Sequence, residues 1–387
     1  MYDFSSNFTK LLYCFATNSK LSLRQAVDQL RKNAHLRTIS ETISQFSGVP
    51  AGSSKKEIQN FLLEKLLIHS PPDAKRETIS RKIRMWLGGE VQSLSKQGAI
   101  QLCFALSLPY DEANRFLHRT CGEGFHWRDP EEIVLLYALQ GGLTYPQALA
   151  LRDGLAEKGL LASGCGGAET FTGFVRQDAE KIKNLEDLEN FFRNFQGQLG
   201  SFHNTAYALF REYLDLLCAP EVDDLLDQEK PLSVREVTAT YLHEAIISRF
   251  KRTVKETPGA PLLSALQRDI QQNWPDEFAL SRMLHRKTDI TRKALILLFL
   301  ATDGASAASE GYDEDFWEDE DEDFESRYTR LNAMLCDCGF SPLDSRSPFD
   351  WMVIYCMCIE ESMFIDTEIE NFLNAIFLLP ASECEDL

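Results

Sequence analysis

Apolar residues recur at spacings of three and four along most of the chain, which is the period of an amphipathic helix. The segment 185–195 shows it with Leu185, Leu188, Phe191, Phe192 and Phe195. No stretch of useful length alternates apolar and polar residues as a half-buried strand would. The pattern therefore predicts an all-α, multi-helical fold.

Two of the predicted helices are apolar nearly all round and should lie in the core. They read EEIVLLYAL over 131–139 and FDWMVIYCM over 349–357. Each follows a proline, Pro130 or Pro348, which suits the first helical position because proline lacks the N–H that is unsatisfied there. Ser22 and Ser233 are predicted N-caps of earlier helices, and Asp73 and Asp276 of later ones. Gly88 and Gly89 are placed to end a helix.

The chain carries an internal duplication. LSLRQA at 21–26 recurs as LSVREV at 232–237, and the Pro-Asp and Ser-Arg pairs at 72–73 and 80–81 recur at 275–276 and 281–282. Residues 94–105 match 290–301 at an offset of 196. With no gap, six identities then follow at an offset of 218: Tyr110 with Tyr328, Asn114 with Asn332, Leu117 with Leu335, Arg128 with Arg346, Pro130 with Pro348, and Tyr137 with Tyr355. Similarity in a constant order predicts two modules of the same packing.

The rise in offset from 196 to 218 places an insertion of 22 residues in the second copy, before Tyr328. This acidic insertion, taken as 303–326, is predicted to be an extended, disordered loop because its like charges repel one another. The residues that define it are Asp313, Glu314, Asp315, Trp317, Glu318, Asp319, Glu320 and Asp321.

Three regions follow from these observations. Residues 1–140 form the first helical module, 141–231 a helical connecting region, and 232–387 the second module with the insertion at 303–326. The glycine-rich stretch 163–167 and the acidic stretch 220–231 are predicted loops.

Charge is unevenly distributed in the chain of 387 residues, whose net charge is −19. Residues 1–128 hold 18 Lys/Arg against 11 Asp/Glu, and 232–302 hold 11 against 7, so both are basic. Residues 129–231 hold 8 against 18, and 303–387 hold 3 against 23. Basic segments of this kind favour nucleic-acid contact, whereas the structural alternative is an ordinary solvated surface.

Neither the first residues nor the apolar stretches indicate export or membrane insertion. The first residues lack a basic region ahead of a long apolar run, and no apolar stretch reaches the ~18–20 residues that span a bilayer. The ten cysteines are scattered, several of them in apolar helical stretches, which favours reduced thiols over disulfides. We therefore predict a cytoplasmic protein without membrane contact. The sequence leaves the oligomeric state open.

The string ISRKIRMWLGGEVQSLSKQGAIQLCFALSLPYDEANRFL at 79–117 resembles the later part of Xre-type helix-turn-helix domains. Gly48 would lie in a turn of the preceding segment, and the second copy, LSRMLHRKTDITRKALILLFLA, is similar but shorter. The same module pattern resembles bacterial helical proteins of unassigned function.

The resemblance implies that a helix over 78–87 approaches double-stranded DNA. Its basic residues, and the matching ones of the second copy, would contact phosphates or base edges. They are Arg76, Arg81, Lys82, Arg84 and Lys96, and then Arg282, Arg286, Lys287 and Arg292. The alternative interpretation of the same residues is the solvent face of core helices.

No motif points to catalysis. The sequence lacks a phosphate-binding GxxxxGK[ST] loop, a GxGxxG fingerprint, HExxH and GxSxG. The pairs Cys336/Cys338 and Cys356/Cys358 lack the usual CxxC ligand spacing of zinc sites and have no nearby histidine. We expect no enzyme, no metal and no cofactor.

Two functions remain open from the sequence. The first is a DNA-binding regulator in which the acidic insertion folds over a basic face and competes with phosphate. The second is a protein-interaction adaptor whose acidic insertion docks on a basic protein partner.

Overall fold

A computed structural model shows an all-α fold, as the apolar pattern predicts. It describes residues 3–4, 22–27, 36–50, 52–89, 91, 93–161, 172–200, 202–219, 231–256, 265–309, 324–345, 347–359 and 365–377. No helix within these ranges is both long and apolar enough to cross a membrane. The only strands among them have two residues each, β1 (Asp3–Phe4) and β2 (Leu36–Arg37).

The chain divides into two compact units. Among the described residues, unit 1 comprises chiefly 36–203 with 337–341, and unit 2 comprises chiefly 204–336 and 342–377. The predicted connecting region 141–231 is shared between them, because its earlier helices belong to unit 1 and its last helix to unit 2. Its predicted loops at 163–167 and 220–231 lie outside the described residues, apart from residue 231.

Unit 1 contains nine helices among its described residues. They are α1 (Ile39–Phe46), α2 (Lys55–Ile68), α3 (Arg76–Leu87), α4 (Lys96–Ala105), α5 (Tyr110–Cys121), α6 (Pro130–Gln140), α7 (Tyr145–Glu157), α8 (Thr172–Ala179) and α9 (Leu185–Asn194). Helix α4 is central, since it packs against α2, α5 and α7 and buries most of its residues.

Unit 2 contains a short helical segment at 23–27 and nine longer helices among its described residues. They are α10 (Asn204–Cys218), α11 (Val234–Thr240), α12 (Glu244–Glu256), α13 (Ala265–Gln271), α14 (Glu277–Leu284), α15 (Arg292–Ser309), α16 (Phe324–Asp337), α17 (Pro348–Met357) and α18 (Ile365–Phe377). Helix α15 packs against α10 and α18, and α17 packs against α13 and α18. Every residue of α17 is buried, as its apolar composition predicts.

Side-chain caps start the helices largely where the sequence places them. Ser233 and Glu236 form a reciprocal capping box, and the Ser22 hydroxyl accepts the N–H of Gln25. Asp276 caps α14, but the matching Asp73 does not cap α3, which begins three residues later without a side-chain cap. The prediction for Asp73 is therefore wrong: the second Pro-Asp pair starts a helix and the first lies in a turn.

An ion pair between the first residue of one core helix and the first turn of another is found in each unit. Lys96 at the start of α4 lies 2.7 Å from Glu132 in the first turn of α6. Arg292 at the start of α15 makes two 2.8 Å hydrogen bonds to Asp350 in the first turn of α17. Each carboxylate also accepts a backbone N–H six residues earlier, from His126 at 2.7 Å and from Asp344 at 2.9 Å.

A second contact recurs beside it. The Asn114 side-chain oxygen accepts the N–H of Phe125 at 3.1 Å, and that of Asn332 accepts the N–H of Leu343 at 2.7 Å. Lys96 and Arg292 differ by the predicted offset of 196, and the asparagines and carboxylates by 218. The duplication stays a prediction, and these recurring contacts support it.

Lys293, the second residue of α15, binds the C-terminal end of α13. Lys293 donates to the backbone oxygens of Asp269, Ile270 and Gln272 at 2.7–3.3 Å and so caps the C-terminus of α13. Its ammonium lies 4.5 Å from the ring centroid of Phe349. Burial lowers the pKa of Lys293 to about 8.

We predict that Asp350→Ala lowers the free energy of unfolding by roughly 3 kcal/mol, because it leaves the mostly buried Arg292 guanidinium without its carboxylate. Urea unfolding followed by circular dichroism measures the loss. As a matched control, Asp153→Ala removes an exposed carboxylate paired with Arg152 and should cost about 0.5 kcal/mol or less. Replacing both partners, Arg292→Met with Asp350→Leu, should recover much of the loss. An Asp350→Ala protein as stable as its parent would contradict a structural role for the pair.

Candidate nucleic-acid interface

Helix α3 of unit 1 has one buried face and one exposed, cationic face. Its buried residues are Ile79, Ile83, Trp86 and Leu87. The predicted DNA-contacting residues Arg76, Arg81, Lys82 and Arg84 are all exposed. Helix α3 thus has 12 residues, four of them exposed cations, and a buried apolar face. The apolar face keeps the helix packed, and the cations are of the type that contacts phosphate.

The charge of these cations is largely uncompensated locally. Residues 52–89 hold eight Lys/Arg and four Asp/Glu. Within the described chain, Arg76, Arg81 and Arg84 make no ion pair, and the Lys82 ammonium lies 5.5 Å from the centroid of the Trp86 ring. The Glu57 carboxylate is held by Ser54, whose hydrogen bonds lower the pKa of Glu57 and direct it to the N-terminus of α2.

Helix α2 carries two further exposed cations in its first turn. It packs against α3, and the Gln59 amide lies 3.5 Å from the Ser80 hydroxyl. Lys55 and Lys56 are exposed one turn before Gln59. The predicted set of DNA-contacting residues does not include Lys55 or Lys56. Their position directly after Ser54, which caps α2, is the sequence signal that these lysines begin a helix.

Lys96 and Arg292 have a different role from the one the resemblance implies. Each is bound to a carboxylate that is itself largely buried, Glu132 or Asp350. Burial opposes the charge of Lys96, but Glu132 and Glu123 outweigh that effect and raise the pKa of Lys96. Because these charges are already neutralised inside the fold, we leave both residues out of the proposed DNA surface.

The predicted residues of unit 2 lie at and beyond the end of α14. Arg282, Arg286 and Lys287 are exposed, and the guanidinium groups of the two arginines lie over aromatic rings. The Arg282 guanidinium lies 5.6 Å from the centroid of Phe278, and that of Arg286 lies 4.4 Å from the centroid of Tyr207. Arg286 also donates to the Asn204 side chain. This surface differs from that of α3 in its exposed aromatic ring, because Phe278 lies in solvent whereas Trp86, the ring beneath Lys82, is buried.

The connections around α3 differ from a compact helix-turn-helix. Gly48 adopts φ of 69° in the turn after α1, as expected from its placement there. However, eight residues separate α1 from α2, and seven separate α2 from α3. A helix-turn-helix joins its helices by three or four residues. The resemblance to Xre-type domains therefore remains an expectation about α3 and its neighbours.

The acidic insertion is only partly described. Its first residues, 303–309, continue α15, and 324–326 belong to α16, so the predicted loop is shorter than 303–326. The stretch 303–309 consists mainly of small residues and holds one charge, which allows the helix to continue. All the residues named for the acidic loop, Asp313, Glu314, Asp315, Trp317, Glu318, Asp319, Glu320 and Asp321, lie outside the described residues.

Unit 1 also has a groove of about 480 Å³ where several inter-helix turns meet. Its described lining includes His69, Phe104, Tyr110 and Gln140, and no acidic or basic side chain other than this histidine. The Nδ1 atom of His69 accepts the N–H of Tyr145 at 3.2 Å. The hydroxyls of Ser107 and Thr144 also line the groove, but the Thr144 hydroxyl is bound to the Gln147 side chain in the capping box of α7. Among the described residues no hydrogen bond joins either hydroxyl to His69, so the lining shows no activated nucleophile.

The seven cysteines within the described residues are free thiols.

Comparison with models of protein families, with curated proteins and with solved structures finds no match. The exposed cations of α3 are therefore the strongest functional feature of the described residues.

We predict that His69 titrates below its ordinary pKa of about 6.5. Burial lowers the pKa of His69, and the charge of Lys65 lowers it further. Since the unfolded chain takes up this proton first, the group's contribution to stability is present above a pH of about 6.5 and lost as the pH falls toward the folded pKa. An NMR titration of the imidazole measures the midpoint. Lys65→Gln should raise it part of the way, and a midpoint at or above about 6.5 would show that the ring is more open than described.

Proposed function

We propose that the chain is a non-enzymatic regulatory protein that binds double-stranded DNA through the exposed face of α3. The observation that carries the proposal is the set of four exposed cations, Arg76, Arg81, Lys82 and Arg84, which no described carboxylate neutralises. Lys55 and Lys56, exposed at the start of α2, which packs against α3, add two cations to this part of unit 1.

The dimensions of α3 suit this role. Twelve residues at ~1.5 Å per residue make a helix of about 18 Å, and the B-DNA major groove, about 12 Å wide, admits a helix. The ion pairs with phosphate would replace condensed counterions, so affinity should depend on salt. The cations lie in a local excess of positive charge although the whole chain is acidic.

The adaptor alternative depends on the acidic insertion binding a basic protein. Its acidic residues lie outside the described residues, so no described contact favours it. The same insertion serves the DNA proposal as an internal competitor of phosphate, on the argument of charge alone.

The direct test is binding of the full chain to a labelled duplex, measured by fluorescence anisotropy over a range of salt concentrations. If four phosphates are neutralised, log Kd should change with log salt with a slope of about 3.6 in magnitude. The combined variant Arg81→Gln, Lys82→Gln, Arg84→Gln should weaken binding on the order of 100-fold at about 0.1 M salt and lower the slope by about 2.7.

A matched control removes the same charge elsewhere in unit 1. Lys158→Gln, Lys181→Gln and Arg193→Gln replace exposed cations that are paired with acidic residues. This variant should bind the duplex about as well as the parent. Equal losses in the two triple variants, or a parent with no salt-sensitive duplex affinity, would refute the proposal.

We further predict that neutralising the acidic insertion tightens duplex binding. Replacing its Asp and Glu residues within 313–321 by Asn and Gln removes negative charge that competes with phosphate. The expected result is a lower Kd at low salt, with the difference shrinking as salt screens the charges. Scrambling the order of the same acidic residues keeps the charge and should leave affinity unchanged. An unaltered Kd after neutralisation would remove the autoinhibitory role and leave the α3 surface untouched.

A further inference from the structure

Helix α14 of unit 2 presents an aromatic ring and a guanidinium group on one exposed face, and a second ring and guanidinium pair lies just beyond its end. Phe278 and Arg282 are four residues apart and therefore share a face of the helix. Arg286 follows just beyond the helix end, against Tyr207 of α10. We call these four residues the α14 platform.

The outer part of the platform is an aromatic side chain left in solvent. Phe278 is 70% exposed, the largest value among the exposed large apolar residues of the described chain. The Arg282 guanidinium lies 5.6 Å from its ring centroid. A largely exposed phenylalanine contributes little to folding, and its ring beside the Arg282 guanidinium leaves an aromatic surface available to a flat ligand.

The inner part of the platform is fixed by an unusual backbone. Arg286 has φ of 52°, a left-handed conformation that disfavours residues with a Cβ. The N–H groups of Arg286 and Lys287 bond to the carbonyls of Met283 and Arg282, closing α14 in a Schellman motif. Gly89 takes the left-handed position beyond α3 at φ of 87°, as is usual at such ends.

The strained arginine is held in one place. Its guanidinium stacks on Tyr207 at 4.4 Å and donates to Asn204. The Tyr207 hydroxyl donates to the backbone oxygen of Leu284 at 2.9 Å, so the ring is tied to the end of the same helix. A planar cation over an immobilised aromatic ring forms a preorganised stacking surface.

The charges nearby favour an anionic ligand. Arg282, Arg286 and Lys287 are exposed, and His285 lies between them. Of the nearest acidic residues, Asp276 accepts the N–H of Ala279 and Asp289 accepts the N–H of Ile290. Glu277 is exposed in the first turn of α14, so three exposed cations outnumber one open carboxylate. A ligand that combines flat faces with negative charge meets both features of the surface.

We propose that the α14 platform binds single-stranded nucleic acid, with unstacked bases on Phe278 and on the guanidinium planes and phosphates near Lys287. Aromatic rings and Arg planes are the groups on which proteins stack unpaired bases. A base held in a duplex has its faces covered by its neighbours, so this site differs from the α3 surface. The inference does not depend on duplex binding, because it uses different residues in a different unit.

The test uses the full chain and a fluorescently labelled deoxythymidine oligomer of about twelve nucleotides. Phe278→Ala should weaken binding roughly 10-fold without changing the salt slope, because a stacked base and not a phosphate contact is lost. Arg282→Lys keeps the charge and loses the plane, so it should also weaken binding at an unchanged slope. Leu216→Ala removes another exposed apolar side chain of unit 2 and should have no effect.

Arg286→Gly separates binding from folding. Glycine relieves the left-handed backbone, so the variant should unfold at a urea concentration equal to or higher than the parent's while binding the oligomer several-fold more weakly. A variant that loses stability in proportion to its loss of binding would instead assign Arg286 a structural role and overturn its place in the platform.

Two outcomes decide the proposal. A parent chain that does not bind the oligomer, or a Phe278→Ala protein that binds it as the parent does, overturns it. Parallel titrations with a uridine oligomer tell RNA from DNA as the preferred strand. The triple α3 variant should retain oligomer binding, and Phe278→Ala should retain duplex binding, so failure of one proposal is distinguishable from failure of the other.

Discussion

The largely buried pairing of a cation with a carboxylate is the constraint on which both units depend. In each unit the cation occupies the first position of a core helix, where the helix dipole disfavours positive charge. The carboxylate of the facing helix offsets this and at the same time binds the backbone of the loop that leads into its own helix. One interaction therefore fixes the ends of two helices and the loop between α5 and α6, or between α16 and α17. The two examples are Lys96 with Glu132 and Arg292 with Asp350.

This pairing also separates two kinds of basic residue that look alike in the sequence. Lys82 of α3 and Lys96 of α4 differ in what faces them in the fold, because Lys96 faces a largely buried acid whereas Lys82 faces solvent. Neutralised cations stabilise the fold, and open cations are able to attract phosphate. The proposed DNA surface therefore consists of the exposed cations of α3 and excludes Lys96 and Arg292, which are paired with Glu132 and Asp350.

The two units use their basic residues differently. In unit 1 the α3 surface is a group of exposed cations beside Lys55 and Lys56, suited to a phosphate backbone of regular geometry. In unit 2 the arginines at α14 lie over the rings of Phe278 and Tyr207, and Arg286 occupies a backbone conformation that glycine takes after α3. Helices at corresponding places in a predicted duplication thus carry surfaces of different chemistry.

The sequence by itself determined the helical class, most helix starts and the identity of the core helices. These depend on local chemistry: a serine cap, a proline at the first position, or an uninterrupted apolar stretch such as that of α17. Both sequence interpretations of the α3 cations, a DNA-facing helix implied by the resemblance and the solvent face of a core helix, require exposed side chains, and the four cations are exposed. Only the tertiary structure decided which cations are paired, since Lys96 and Glu132 are 36 residues apart. The tertiary structure also decided that Arg286 contacts Tyr207 of α10. A contact between helices far apart in the chain does not change the residue spacing within either helix, so the sequence pattern could not predict it.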